Sequence, residues 1–182
     1  MLLHGECSLS LTPLDRKAVR RSFERAASSY DAHAVLEREV ESRLLERVEY
    51  FRQQPDCVLD LGCGTGSASR ALGTQFADAR IIALDWSPAM LTISGMSDGV
   101  NLSKICADMH AIPLAAASVD LVFSNLALQW SVDLPAVFKE FRRVMKPGGM
   151  LVFTCYGPDT LSELRQAWQA VDDFPHVHDF PD

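Results

Sequence analysis

From Cys57 onward the hydrophobic residues come in short unbroken runs rather than helical stripes. Cys57-Val58-Leu59-Asp60-Leu61 carries one acid in an otherwise apolar stretch. Ile81-Ile82-Ala83-Leu84, Val119-Asp120-Leu121-Val122-Phe123 and Met150-Leu151-Val152-Phe153-Thr154 repeat the pattern, and Leu102 to Cys106 is a weaker version. Runs of this kind suit strands covered on both faces, as in a parallel sheet. Between them the period lengthens. Gly66 to Phe76 reads as a helix, and Ser87-Pro88 reads as an N-cap followed by proline at N1, opening a helix through about Ser94. Asp133 to Met145 puts Val137, Phe138, Phe141 and Val144 on one inner face before Lys146-Pro147-Gly148-Gly149 breaks it. This alternation predicts right-handed βαβ units in an α/β, doubly wound sheet.

The flanks read as helical. Residues 14–33 form one predicted helix, with Leu14, Ala18, Phe23 and Ala26 or Ala27 near one face. Val35 to Arg52 forms a second, its apolar Leu36, Val40, Leu44, Val48 and Phe51 spaced four, four, four and three. Beyond Tyr156, Pro158 to Val171 places Leu161, Leu164, Trp168 and Val171 on one side, and Phe174 to Asp182 reads as an extended tail. The segmentation is thus a flexible 1–13, helical 14–54, an α/β core over 55–156, and a helix with tail over 157–182.

Composition narrows the class. A chain of 182 residues, 48% of them apolar, can bury a core and defaults to one domain. No apolar run approaches the roughly 18 residues that span a bilayer. Met1 to Leu14 lacks a basic leader and contains Glu6, so the expectation is a cytoplasmic protein with no membrane partner. Cys7, Cys57, Cys63, Cys106 and Cys155 are odd in number and show no C-x-x-C spacing, so they read as small buried hydrophobes rather than metal ligands or disulfides. His176 and His178 read as solvated, and no metal is expected. A net charge of −7 argues against nucleic acid. From Tyr156 on there are six acids against Arg165, whereas Arg16, Lys17, Arg20, Arg21 and Arg25 face only Asp15 and Glu24.

The chemistry concentrates in Asp60-Leu61-Gly62-Cys63-Gly64-Thr65-Gly66, between a predicted strand and helix, where doubly wound sheets bind nucleotide-like ligands. A dinucleotide fingerprint G-x-G-x-x-G would need its third glycine at Ser67. A pyrophosphate at a helix N-terminus would also be opposed by Asp60, whereas a ligand with an ammonium and a sulfonium would be favoured by it. S-adenosylmethionine therefore fits better than a dinucleotide. Asp85, ending the second strand, can accept bonds from two ribose hydroxyls or can cap the following helix. Trp86 and Met90 can pack on an adenosine or simply fill core. Asp108, after the third strand, could reach an adenine amino group or be a solvated turn acid.

Taken together, Asp60 to Gly66, Asp85, Asp108, Asn125 and Lys146 to Gly149 resemble the successive motifs of class I S-adenosylmethionine-dependent methyltransferases. The resemblance implies a Rossmann-like sheet of order 3-2-1-4-5 with the cofactor across its C-terminal edge. It implies Asp60 and Gly62 at the methionine end, with Cys63, Gly64 and Gly66 completing the loop. Asp85 then serves the ribose, Asp108 and Met109 the adenine, and Asn125 and Leu126 the methyl-donor cleft. On the flanks, residues 22–34, Leu126-Ala127-Leu128-Gln129-Trp130 and residues 156–164 are similar to the biotin-pathway malonyl-acyl carrier protein O-methyltransferases. That family esterifies a carboxyl already ionised at neutral pH, so no general base is required. The segment holding Tyr30 and His33 then forms a lid; those two share a helical face, and Tyr30 contacts donor or acceptor. Gln129 and Trp130 are placed to touch the acceptor, and the basic patch suits an acidic carrier protein. A complex I assembly-factor-like relative with another acceptor, and a non-catalytic cofactor-binding remnant, are the competing readings. The sheet of such enzymes has seven strands, and strands 6 and 7 are not found in this sequence. The fifth strand is then expected to expose an edge on which two copies could pair.

Overall fold

The computed structural model describes residues 15–50, 54–94, 100–172 and 180. The expectations for 1–13, Leu14, Phe51, His176, His178 and the tail apart from Phe180 lie outside the described residues. The observed order is α1 (Arg16–Ala26), a 3-10 turn (Ala27–Ser29), α2 (Tyr30–His33), α3 (Val35–Val48), β1 (Cys57–Leu61), α4 (Ser67–Gln75) and β2 (Arg80–Asp85). Then follow α5 (Pro88–Ile93), β3 (Leu102–Cys106), β4 (Val119–Ser124), a 3-10 turn (Leu128–Trp130), α6 (Leu134–Val144), β5 (Met145–Phe153) and α7 (Ser162–Gln169). The five strands make one parallel sheet of order β3-β2-β1-β4-β5.

The unbroken apolar runs are explained by two separate cores. Val58, Ile81, Leu121 and Phe123 pack with Leu44 and Val48 of α3 and Leu72 of α4 on one face. Leu59, Leu61, Ile82, Leu84 and Val122 meet Val137, Phe141 and Val144 of α6 on the other. Both sides of each central strand are therefore dry, and no polar alternation survives.

Four expectations are corrected. The helix over 14–33 is broken: α1 ends at Ala26 and the chain tightens through Ala27–Ser29 before α2. Serines compete with helical hydrogen bonds, and Ser29 Oγ donates back to the Ala26 carbonyl at 3.3 Å. In α3 Leu36 stays 54% exposed, so only the C-terminal half of its stripe joins the core. Phe138 does not enter the core with Phe141. It stands at its edge, with its ring 5.8 Å from those of Phe141 and Phe153. The last helix is shorter than 158–171, and its apolar side remains on the surface.

Lys146 to Gly149 does end α6, but the chain passes directly into β5. The pairing of β4 with β5 slips between Val119 and Leu121, and Gly148 takes φ +81° in the resulting bulge. Asp120 anchors this irregularity: its carboxylate accepts from the backbone N–H of Asp56 and Cys57 and from Lys146 Nζ. This clamp closes the sheet at the end away from the strands' carboxyl termini.

Candidate functional site

At the carboxyl ends of β1, β2 and β4 lies a cleft of about 180 Å³. Its floor is the loop after β1. Gly62 and Cys63 donate N–H bonds to the Leu84 carbonyl at 2.8 and 3.1 Å, folding the loop against the end of β2. Gly62, Gly64 and Gly66 take φ +72°, +54° and +79°, a region closed to most side chains. A Cβ at Gly62 would also collide with that of Ala127, so the loop and the β4 connection touch backbone to side chain.

Asp85 is the polar centre of the cleft. It is 7% exposed, and it accepts from Gly64 N–H at 3.0 Å and Ser87 N–H at 2.7 Å. Burial pushes its pKa up, and those hydrogen bonds partly offset the rise. The residue that caps α5 is Ser87, whose Oγ accepts from Met90 N–H, so Asp85 faces the cleft instead of the helix end. Met90 is at once core and wall, 1% exposed and lining the cleft.

A smaller recess of about 50 Å³ lies behind the loop, sharing Tyr30, Glu37, Gly62, Gly64 and Asn125 with the cleft. Asp60 and Cys63 face this recess and not the main cleft. Its lining includes Asp31, Glu37, Glu41 and Asp60, with Arg38 as the one cation. Asp60 is 2% exposed and accepts a hydrogen bond from Ser69 Oγ. Burial pushes its pKa up to about 7; Glu41 and Asp85 add to the rise and Ser69 opposes it. Burial raises the Cys63 thiol well above its ordinary value, with Asp60 and Asp85 reinforcing it. Gly66 touches neither cavity; a Cβ there would strike Ser94 Oγ, so it is needed for packing.

Around the rim, Trp86, Asp108 and Met109 come together as the sequence pattern suggests. Asp108, however, already binds Arg16 of α1, and it accepts from His110 N–H at 2.9 Å and lies 2.6 Å from His110 Nδ1. Burial alone would raise this carboxyl; the bonds from His110 and Arg16 outweigh it and hold the pKa at about 2. The Arg16 guanidinium lies 5.5 Å from the Trp86 ring centre. His110 Nε2 in turn lies 2.9 Å from Ser131 Oγ.

Asn125 and Leu126 line the cleft, but the Asn125 amide is engaged: its Nδ2 donates to the Glu37 carbonyl and its Oδ1 accepts from Thr154 Oγ1. Tyr30 also lines the cleft. Burial raises its pKa far above the ordinary value, with Glu37 and Asp85 adding to the effect, so it is a hydroxyl donor and not a base at neutral pH. His33 stands apart, exposed, its Nδ1 2.8 Å from the Ser29 carbonyl, and it lines neither cavity. His33 ends the same short helix as Tyr30, but its ring turns back to the Ser29 carbonyl, so sharing that helix does not bring it to the site. Gln129 and Trp130 line the cleft; Gln129 donates to the Leu126 carbonyl, while its buried Oε1 has no partner among the described residues.

Sequence reasoning missed Arg16, Phe23, Glu37, His110 and Tyr156 in this lining. Arg16 and Phe23 lie seven positions apart on α1, two turns along one face, a signal that was available. Tyr156 follows a strand end, where doubly wound sheets place ligand contacts. His110 and Glu37 carried no local signal.

Residues 59–153 match the family model described as a methyltransferase domain. A malonyl-[acyl-carrier protein] O-methyltransferase from Gallionella capsiferriformans is 48% identical over 177 residues, covering 93% of this chain and 61% of that protein. The chain spans about three fifths of the length of the curated relatives it matches. A solved Haloferax volcanii chain, described as a methyltransferase and held with the Trm112 methyltransferase activator, is 27% identical. It aligns over 82% of this chain and 66% of its own, with a TM-score of 0.68. An S-adenosylmethionine-dependent methyltransferase from Mesorhizobium loti is 28% identical, over 65% of this chain and 54% of its own, with a TM-score of 0.55.

Proposed function

The chain belongs to the methyltransferase-domain family, and on that premise we propose that it binds S-adenosylmethionine in the cleft and methylates the free carboxyl of malonyl-acyl carrier protein for biotin synthesis. The donor half of this reading is carried by the acid-lined recess behind the glycine loop. Four carboxyl groups against one arginine favour an ammonium and a sulfonium and oppose a pyrophosphate. Asp85 supplies lone pairs for ribose hydroxyls, and Asp108 for an adenine amino group once Arg16 yields. The acceptor half is carried by the 48% identity to the malonyl-carrier-protein enzyme across nearly the whole chain.

Bound S-adenosylmethionine supplies a sulfonium methyl group open to in-line displacement. The chain's residues then have to align, cover and hold. A carboxylate acceptor is ionised without help, which agrees with a site whose Tyr30 keeps its proton. Tyr30 can donate its hydroxyl to that acceptor. Phe23, Tyr30 and Trp130 cover the cleft and exclude water, and Thr65 Oγ1 clamps the loop to Asp31 of α2 at 2.6 Å. In the same reading the protein works in the cytoplasm. Among the described residues no helix is long and apolar enough to cross a membrane.

With labelled donor and malonyl-carrier protein, the expected product is a base-labile methyl ester. A folded sample that binds S-adenosylhomocysteine yet labels no carrier protein overturns the acceptor assignment.

A proton tests the donor assignment. Because Asp60 is protonated below about pH 7 in the folded protein, a cation entering the recess expels that proton. Donor binding should release protons in calorimetry near pH 6, in buffers of differing ionisation enthalpy, and the release should vanish by about pH 8.5. Affinity therefore rises with pH through that window. Asp60→Asn should bind without the release; an unchanged release in that variant would assign the proton elsewhere.

A further inference from the structure

We propose that the apolar groove between α1 and Trp130 is the channel by which a carrier protein's acyl arm reaches the cleft, with the cationic outer side of α1 seating the acidic carrier itself. This rests on the proposed carboxyl methylation and specifies how the acceptor is held.

An open groove of about 320 Å³ runs along α1. Ala18, Ser22 and Ala26 recur every fourth residue along it, so one side of the helix presents no bulk. Its other wall is aromatic. Phe23, Tyr30 and Trp130 line both the groove and the cleft, so they form the partition between them. The Phe23 and Trp130 rings meet edge to face at 5.4 Å, and Phe23 and Tyr30 stand 6.4 Å apart. Movement of these rings joins the two spaces.

The chemistry of the lining selects the occupant. Its one ionisable acid, Asp15, is spent on capping α1 through the N–H groups of Lys17 and Ala18. A cationic ligand would find no free counter-ion there, whereas an uncharged chain of methylenes and amides needs none. Just inside the partition, the buried Gln129 Oε1 lacks a donor, and an amide N–H of such an arm would satisfy it.

Charge places the arm's owner. Lys17, Arg20, Arg21 and Arg25 are exposed on α1, and Glu24 is the helix's one acid. Arg16 does not belong to this face, because it turns into the cleft to Asp108. Arg25 bends its guanidinium to 3.3 Å from Ser22 Oγ, carrying positive charge onto the groove's rim. On a chain of net charge −7 this cationic face is a local exception, suited to steering an acidic protein.

Labelled carrier protein, with and without its pantetheine arm, can be titrated by fluorescence anisotropy against the full chain. The Lys17→Glu, Arg21→Glu double variant should weaken armed carrier at least tenfold and flatten the salt dependence. S-adenosylhomocysteine affinity should stay at the wild-type value. Helix loss is not the cause in that variant: Lys17→Glu puts an acid in the first turn of α1, which the helix dipole favours, and Arg21→Glu puts an acid four positions before Arg25, a favourable i,i+4 pair. Ala18→Trp, which fills the groove, should weaken armed carrier about fivefold and leave armless carrier unchanged. The proposal fails if the charge-reversed variant binds like wild type, if Ala18→Trp affects both carriers equally, or if wild type binds neither. Binding in the expected pattern without methyl-ester formation keeps the surface and removes the carboxyl-methylation reading. Ester formation that neither variant slows does the reverse.

Discussion

Gly62→Ala should lose about 2–5 kcal/mol of stability and all measurable affinity for S-adenosylhomocysteine. Two costs add. The left-handed φ of +72° penalises any Cβ by about 1–2 kcal/mol. The new methyl group also meets Ala127 Cβ, with no flexible side chain to yield, and overpacking of that kind costs about 1–3 kcal/mol. Relief would come by pushing the loop off the end of β2, breaking the Gly62 and Cys63 bonds to the Leu84 carbonyl that shape the cleft floor. The collision can be separated from the backbone term. In Gly62→Ala, Ala127→Gly the steric part is removed and the φ penalty remains, so urea unfolding should show partial recovery, a positive coupling between the two sites. A single variant as stable as wild type, or a double variant no better than the single, would show that the loop is not wedged against Ala127.

Asp85→Ala should weaken S-adenosylhomocysteine at least tenfold, about 1.4 kcal/mol, and also destabilise the protein. The carboxylate does two tasks that no other side chain covers. It faces the cleft, and it satisfies the N–H groups of Gly64 and Ser87. Deleting it orphans both donors at a buried site, at about 1–3 kcal/mol each, less whatever burial of the charge had been costing. Asp85→Asn separates the tasks: one amide oxygen can serve only one of those donors, so stability should fall less than in the alanine variant while affinity falls comparably. Calorimetry and urea unfolding on the same samples give both numbers. Unchanged affinity in either variant would remove Asp85 from the donor site.

Much of this arrangement is legible in the amino-acid sequence itself. The three central strands announce themselves because each is covered on both faces, which leaves Val58 to Leu61 and Leu121 to Phe123 without polar alternation, whereas edge strand β3 has no buried residue and its run is correspondingly weaker. Glycines at alternate positions after the first strand mark positive φ, a requirement local enough to be written in the residue types. Ser87-Pro88 is an N-cap and N1 proline because both act within one turn. The strand order came from the resemblance of the motifs as a set, and the pairing agrees with it.

Other features were not readable, for reasons that differ. Periodicity identified an apolar side on the last helix but not whether anything would cover it, and Leu164 and Val171 remain exposed. Lys146 to Gly149 was legible as a helix stop, yet its second role, a bulge pinned by Asp120, depends on pairing with another strand. Arg16 was counted with its basic neighbours because charge runs in sequence look like solvated faces.

The amino-acid sequence alone determined the layers, the glycine loop and the carboxylates at the strand ends, since each follows from residues within a turn or a strand of one another. Tertiary structure decided which of them meet. Arg16 and Asp108 pair across 92 positions, Asn125 ties to Glu37 across 88, and Ala127 closes over Gly62. Such contacts arise when the sheet brings distant loops to one edge, and no local period records them.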